Sequence, residues 1–240
     1  MNKILGIVWD YDGTIINSAK KNIEVTIEVL KHFDRDIEKH LPKALTSYNN
    51  YQEANHKYAN WQDLYLNEYG IKDEQLEKAG KLWVPEQRKN KTIPNMFLGM
   101  SELLRELKSC NMGICSQNSK ETISHTLKYY NIHDCIDTII GYDDIPVNKQ
   151  KPNATIFILC DKILNPNNED GTYIYIGDHS DDIVFGKNFE KKLNKKVICI
   201  TIDHLKINDE NHKNWLIKPE HYVQDAKELR KVLYTIYNDL

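Results

Sequence analysis

The chain has 240 residues, 40% hydrophobic and 28% charged, which fits a globular protein of one or two domains with room for a full core. Its 32 Lys and Arg against 35 Asp and Glu leave a net charge of -3, which argues against a nucleic-acid partner. No run of about 18 apolar residues occurs, so no spanning helix and no membrane partner is expected. The N-terminal apolar run, 4–9, is too short for a signal peptide, and the expected location is the cytoplasm.

In chain order, residues 4–9 form a near-continuous apolar run, the pattern of a strand buried on both faces of a parallel sheet. Residues 18–92 then break the strand rhythm. Ile23, Ile27 and Leu30 repeat at helical spacing, Val25, Val29 and Phe33 form a parallel stripe, and breaks are expected near Pro42, Gly70 and Pro85. This segment reads as an all-helical insertion, and its 13 basic against 12 acidic residues make it no basic arm. A helix follows over 101–108, then a strand over 112–115. Asn118, three residues before Glu121, reads as a capping box opening a helix through Ile123, Leu127 and Tyr130. Strands at 138–140, 172–176 and 197–200 alternate with helices at 155–164 and 182–193. Asp225 and Glu228 open a last helix with Leu229, Val232, Leu233 and Ile236 on one face. Strand alternating with helix predicts an α/β fold, a doubly wound, Rossmann-like parallel sheet. The domains expected are a core of 1–17 with 93–240 and a helical cap of 18–92. Five cysteines, odd in number and without C-x-x-C, suggest neither a disulfide framework nor a zinc knuckle.

Ligands of open α/β sheets bind beyond the carboxyl ends of the strands. The residues there are Asp10-Tyr11-Asp12-Gly13-Thr14, Ser116-Gln117-Asn118 and Gly177-Asp178-His179-Ser180-Asp181-Asp182, with Lys151-Pro152 ahead of a later helix. Several carboxylates on one edge repel unless a cation joins them, and hard oxygen ligands suit Mg²⁺. A serine hydroxyl and a lysine suit the outer oxygens of a phosphoryl group. A carboxylate can act as nucleophile to give an aspartyl phosphate, and a second one two residues on can exchange a proton with the leaving oxygen.

With these residues in order, the chain resembles the haloacid dehalogenase superfamily, in its phosphatase branch with a helical cap and closest in kind to phosphoglycolate phosphatases. Asp10-Tyr11-Asp12-Gly13-Thr14-Ile15 matches D-x-D-G-T-[LIV], and Ser116 matches the Ser/Thr ending the second strand. Lys151-Pro152 with Phe157 matches the lysine motif; Gly177-Asp178 with Asp182 matches G-D-x-x-x-D, with Gly186 downstream. The resemblance implies a Mg²⁺-dependent phosphatase acting on a small cytosolic phosphomonoester through an aspartyl-phosphate intermediate. It implies Asp10 as nucleophile and metal ligand, and Asp12 as acid/base that lends its backbone carbonyl to the metal. Ser116, Gln117 and Lys151 would hold the phosphoryl group, Lys151 also steadying Asp10. Asp178 would bind Mg²⁺ directly and Asp182 through a water or Lys151, with Asp181 a runner-up for that place. Gln117 stands where Asn is frequent, His179 where Ser or Thr is, and Ala154 where Pro is.

Blander roles stand beside these. Ser116 and Asn118 could cap a helix, and Asp181 and Asp182 could favour a helix start. His179 reads as a residue that backs the site or lies on its rim, and His204, His212 and His221, in a polar stretch without ligand spacing, as surface residues. Tyr48, Tyr51, Tyr58, Trp61 and Tyr65 read mainly as packing within the insertion, while Lys43, His56, Lys57 and Arg88 are candidates for a substrate anion. The competing functions are a phosphomutase of the β-phosphoglucomutase type and a non-catalytic metabolite sensor on the same fold. A dehalogenase has no need of Asp12, and no signature of a phosphonate hydrolase is present. The residues do not fix an oligomeric state.

Overall fold

The computed structural model describes residues 3–58, 61–209 and 211–239. By contact density the chain divides into two compact units, Met1–Asn17 with Met96–Leu240, and Ser18–Asn95.

The first unit is a doubly wound parallel sheet. Its chain runs β1 (Ile4–Trp9) and a two-residue strand β2 (Ile16–Asn17) before it leaves for the second unit. That unit contains α1 (Ala19–Lys31), α2 (Tyr48–Lys57), α3 (Trp61–Asn67) and α4 (Leu76–Lys89). The chain returns through β3 (Asn95–Met96), which pairs with β2, and α5 (Met100–Glu106). Then come β4 (Met112–Cys115), α6 (Lys120–Tyr129), β5 (Thr138–Ile140) and α7 (Thr155–Leu164). The last elements are β6 (Thr172–Gly177), α8 (Ser180–Leu193), β7 (Lys196–Ile202), β8 (His221–Val223) and α9 (Ala226–Asp239).

The main sheet has the order β5-β4-β1-β6-β7-β8, every neighbouring pair parallel. Winding runs outward from β1 through β4 to β5, then restarts on the other side at β6. The reversal at β1 is where such sheets open a crevice at the strands' carboxyl ends.

Side chains alternate between two buried layers, as the period of a strand requires. Ile7 and Trp9 of β1, Ile174 and Ile176 of β6 and Ile198, Ile200 and Ile202 of β7 join α5, α6 and α9 in one layer. Leu5, Val8, Tyr173, Tyr175, Val197 and Cys199 point into the other, against α7 and α8. There Phe157 stacks on Phe189 at 3.8 Å and meets Tyr173, Tyr175 and Phe185. Gly186 allows α8 to lie close on β7, where a Cβ would come within 2.7 Å of the Cys199 sulfur. Cys115, Cys160 and Cys199 are buried free thiols in this layer.

The second unit has its own core, built by Val29 and Leu30 of α1, Tyr51 and Ala54 of α2, Leu64 and Tyr65 of α3 and Ala79 of α4. Trp61, Tyr65 and Tyr69 meet edge to face at 5.5 and 5.0 Å. Here the expected break at Pro85 is corrected: Pro85 lies inside α4. Its missing N–H removes one rung of that helix, yet buried Ala79, Glu86 and Gln87 on either side keep the helix docked. Among the described residues no helix is long and apolar enough to cross a membrane.

Phe157 touches four aromatic partners, and all five side chains lie without solvent access. Phe157→Ala is expected to cost about 3–5 kcal/mol of stability, from lost transfer energy and the cavity left behind. Urea unfolding of the two proteins measures it.

Candidate active site

The residue after β1 is Asp10, whose N–H continues the ladder to the Ile176 carbonyl at 2.8 Å. Tyr11 turns into the core with no exposure, while Asp10 and Asp12 stay at the sheet edge. Gly13 then takes φ +84°, a left-handed conformation natural to glycine, and a Cβ there would fall inside the Asp178 carboxylate. The loops after β1 and β6 therefore touch through a position that only glycine can fill. Gly177 plays the same part beneath Asp182, since a Cβ on it would overlap that carboxylate.

Lys151, ahead of α7, brings its ammonium into this group. Its Nζ donates to Asp10 Oδ1 at 2.6 Å, to the Tyr175 hydroxyl at 2.7 Å and to Asp182 Oδ1 at 3.0 Å. An ammonium has three N–H donors, and all three are in use. The Lys151 side chain is 5% exposed, and those of Asp10 and Asp182 are 11% and 8%. The Tyr175 hydroxyl in turn donates to Asp182 Oδ1 at 2.8 Å. Asp182 Oδ2 accepts the backbone N–H groups of Asp178 and His179, each at 3.2 Å.

The four acceptor positions of Asp182 are thus filled, whereas Asp10 accepts from Lys151 alone among the described residues. Their acidities diverge accordingly. Burial pushes the Asp10 carboxyl up to about 7, against the pull of Lys151 and with a further push from Asp182. Burial would raise Asp182 too, but the Lys151 charge and the hydrogen bonds of Lys151 and Tyr175 outweigh it and hold the group below its ordinary value. Asp178 is raised by burial and by the charges of Asp182 and Asp10. Lys151 is held protonated, because the two aspartates outweigh the effect of burial.

Asp10, Asp178 and Asp182 each offer a carboxylate oxygen within 4.8 Å of the others. This all-oxygen donor set, with two members carrying raised pKa values that a cation would lower, fits a hard divalent ion. Of the two adjacent acids, Asp182 is the one in the cluster. Asp181 is partly exposed, and its backbone N–H donates to the His179 ring at 3.2 Å. His179 is the N-cap of α8.

Ser116 follows β4, which lies beside β1, and is 1% exposed. Its Oγ accepts the Asn118 N–H at 3.0 Å, which leaves its own proton free to donate. Gln117 is exposed, and its side chain donates to the Lys151 carbonyl at 3.3 Å. The capping role expected of Asn118 is corrected. Ser119 caps α6, accepting the Thr122 N–H, because the helix begins one residue later. Asn118 instead donates its side-chain amide to the Asp12 carboxylate, at 3.1 and 3.3 Å to its two oxygens.

Two partners escaped the sequence reading. Tyr175 looked like one more apolar strand residue, and only its phenol oxygen marks it. His204 reads in the sequence as a surface residue, but it is half-buried, stacks on Phe97 at 3.9 Å and donates Nε2–H to the Thr14 carbonyl at 3.0 Å. His212 stacks on Tyr222 at 3.8 Å, and His221 lies in β8. Of the candidates in the second unit, Lys57 is paired with Glu68 at 2.9 Å, and Lys43 and Arg88 are exposed. His56 is part-buried on α2.

The family model for haloacid dehalogenase-like hydrolases matches residues 7–195. A sequence search of the curated proteins finds no match. Among solved structures, a haloacid dehalogenase-like family hydrolase from Streptococcus pneumoniae superposes with TM-score 0.71 at 16% identity, over 96% of this chain and 98% of that one. A protein from Lactobacillus plantarum provisionally assigned as a phosphoglycolate phosphatase gives 0.67 at 16% identity, over 95% and 99%. A HAD-superfamily hydrolase of subfamily IA from Geobacter sulfurreducens gives 0.62 at 15%, over 96% and 100%. At these identities the likeness is one of fold.

Carboxyls held above their ordinary value bind protons more tightly folded than unfolded. The ion-free protein should therefore lose stability as pH rises from 3.8, the ordinary value, through about 7, where Asp10 ionises. Asp182, held low, has the opposite sign but titrates below that window. Asp178→Asn removes one raised carboxyl, so its loss of stability over the same window should be shallower than wild type. Urea unfolding in chelator at several pH values checks both slopes.

Proposed function

The chain belongs to the haloacid dehalogenase-like hydrolases, and from that premise we propose that it is a Mg²⁺-dependent phosphatase acting on a small cytosolic phosphomonoester. The observation that carries the proposal is the asymmetry of the buried acids. Asp10 is fixed by Lys151 through Oδ1, while Oδ2 takes no hydrogen bond from a described residue. That oxygen is the nucleophile: it bonds to phosphorus as the ester oxygen departs, giving an aspartyl phosphate.

Asp12 gives its proton to the departing oxygen and later takes one from the water that hydrolyses the intermediate. The Asn118 amide donates to its carboxylate and so fixes its position. Ser116 donates its free hydroxyl proton to a phosphoryl oxygen, and the Gln117 backbone lies next to it on the same loop. Lys151 exchanges one of its present acceptors for the phosphoryl group while keeping hold of Asp10.

Asp10 and Asp178 are assigned as the carboxylates that hold Mg²⁺, with the Asp12 backbone carbonyl. Mg²⁺ bound there supplies charge neutralisation for the phosphoryl oxygens as they approach Asp10. Asp182, its acceptor positions filled, acts on the ion only through Lys151 and the Asp178 backbone, or through a water.

Phosphate release from a panel of phosphorylated metabolites, with and without Mg²⁺, tests the proposal. Mg²⁺-dependent release is expected for at least one compound, and Asp10→Asn should lower it by on the order of 10³-fold or more. Asp12→Ala should lower turnover by about 10²–10⁴-fold. Normal turnover in that variant would remove Asp12 from the acid/base role. No release from any compound by folded, Mg²⁺-loaded protein would overturn the phosphatase reading.

A further inference from the structure

The loops that carry Asp10, buried, and Asp178, part-buried, must hold two carboxylates together before any cation arrives, and their mutual repulsion works against that. A third loop, leaving β7, ties both in place. Its hub is Asp203, 4% exposed. The Asp203 carboxylate accepts the N–H of Ile207 at 3.0 Å, the N–H of Asn208 at 2.7 Å and the hydroxyl of Tyr222 at 2.6 Å. Its own N–H donates to the Val223 carbonyl at 2.8 Å, which anchors the hub to β8.

Closed in this way, the loop extends two struts. Asn208, 5% exposed, donates its side-chain amide to the Asp178 backbone carbonyl at 3.1 Å. His204, stacked on Phe97, donates to the Thr14 carbonyl at 3.0 Å. The Thr14 hydroxyl leans on Asp178 Oδ1 at 3.4 Å, and Gly13 leaves no spare space against the same carboxylate. Both struts lie beyond residue 195, where the match to the family ends.

We infer that the loop from Asp203 to Asn208 is a positioning device that fixes the spacing of Asp10 and Asp178 and so sets the affinity for the divalent ion. Asn208 and His204 are positioning residues; neither offers an atom to the ion. The inference rests on the reading of Asp10 and Asp178 as the ion's ligands. Partners that orient metal-binding carboxylates typically change affinity by about 10–100-fold when removed.

The test is Mg²⁺ titration of the full chain by calorimetry, with no substrate present. Asn208→Ala should bind Mg²⁺ about 10-fold or more weakly than wild type. His204→Phe, which keeps the aromatic stack on Phe97 and loses only the N–H donor, should also bind more weakly. Ile236→Val, a mild cut in the same unit's core, serves as the control for general destabilisation and should bind as wild type does. If Asn208→Ala does not fold, His204→Phe decides alone. Wild-type affinity in the folded strut variants overturns the inference, and wild-type affinity in Asp178→Asn overturns the reading of Asp178 as a ligand and the inference with it. Equal weakening in Ile236→Val overturns it as well. Absence of binding by wild type itself overturns the ion reading, and the inference with it.

Discussion

Everything at the carboxyl edge of this sheet depends on one buried ammonium. Lys151 touches Asp10, Asp182 and Tyr175, and with 5% of its side chain exposed it has almost no water to fall back on. Breaking a buried ion pair by removing one partner costs about 3–5 kcal/mol, because the other charge is left stranded. Lys151 thus links α7 to the ends of β1 and β6 and α8, and the acids that repel one another share a single counter-charge. That charge does not suffice for all of them. Asp182 receives enough donors to stay ionised, while Asp10 and Asp178 are driven up. The unbalanced pair is the part of the fold that a divalent ion would complete.

The surrounding structure can be read as the means of tolerating this strain. Gly13 and Gly177 allow backbone to pass against carboxylates where any side chain would collide. The Lys151 ammonium lies over the rings of Tyr175 and Phe185, and Phe157 packs against both of those rings in turn. Hydrogen bonds from the loop after β7 reach the Asp178 and Thr14 carbonyls of the two acid loops.

Much of this was legible in the sequence, for identifiable reasons. Strands buried on both faces have no polar alternation, so the run 4–9 and its counterparts stood out, and the glycines and acids at their ends stood out in turn. Elements that depend on partners far along the chain did not. Asn118 sits one residue before the cap of α6, and local rules assign it to the helix, although its side-chain amide donates to Asp12, far away in sequence. Tyr175 alternates with isoleucines, so its hydroxyl acquires meaning only when Lys151 and Asp182 arrive from elsewhere. Strand β8 has three residues, of which only Val223 is buried, too little for any periodic signal. The hub at Asp203 is invisible locally because Tyr222, one of its partners, is supplied by that strand. Pro85 misled for the opposite reason: a local rule gave way to burial on both sides of it.

The central claim is that Asp10 forms a covalent bond to the phosphoryl group. It is tested most directly by acid-quenching the Mg²⁺-loaded protein with a turned-over phosphoester or acetyl phosphate, followed by peptide mapping in a mass spectrometer. The account predicts phosphate on the peptide that carries Asp10, in greater amount in Asp12→Ala than in wild type and absent from Asp10→Asn. Turnover with no phosphopeptide in either wild type or Asp12→Ala, or with the phosphate on another residue, would contradict it.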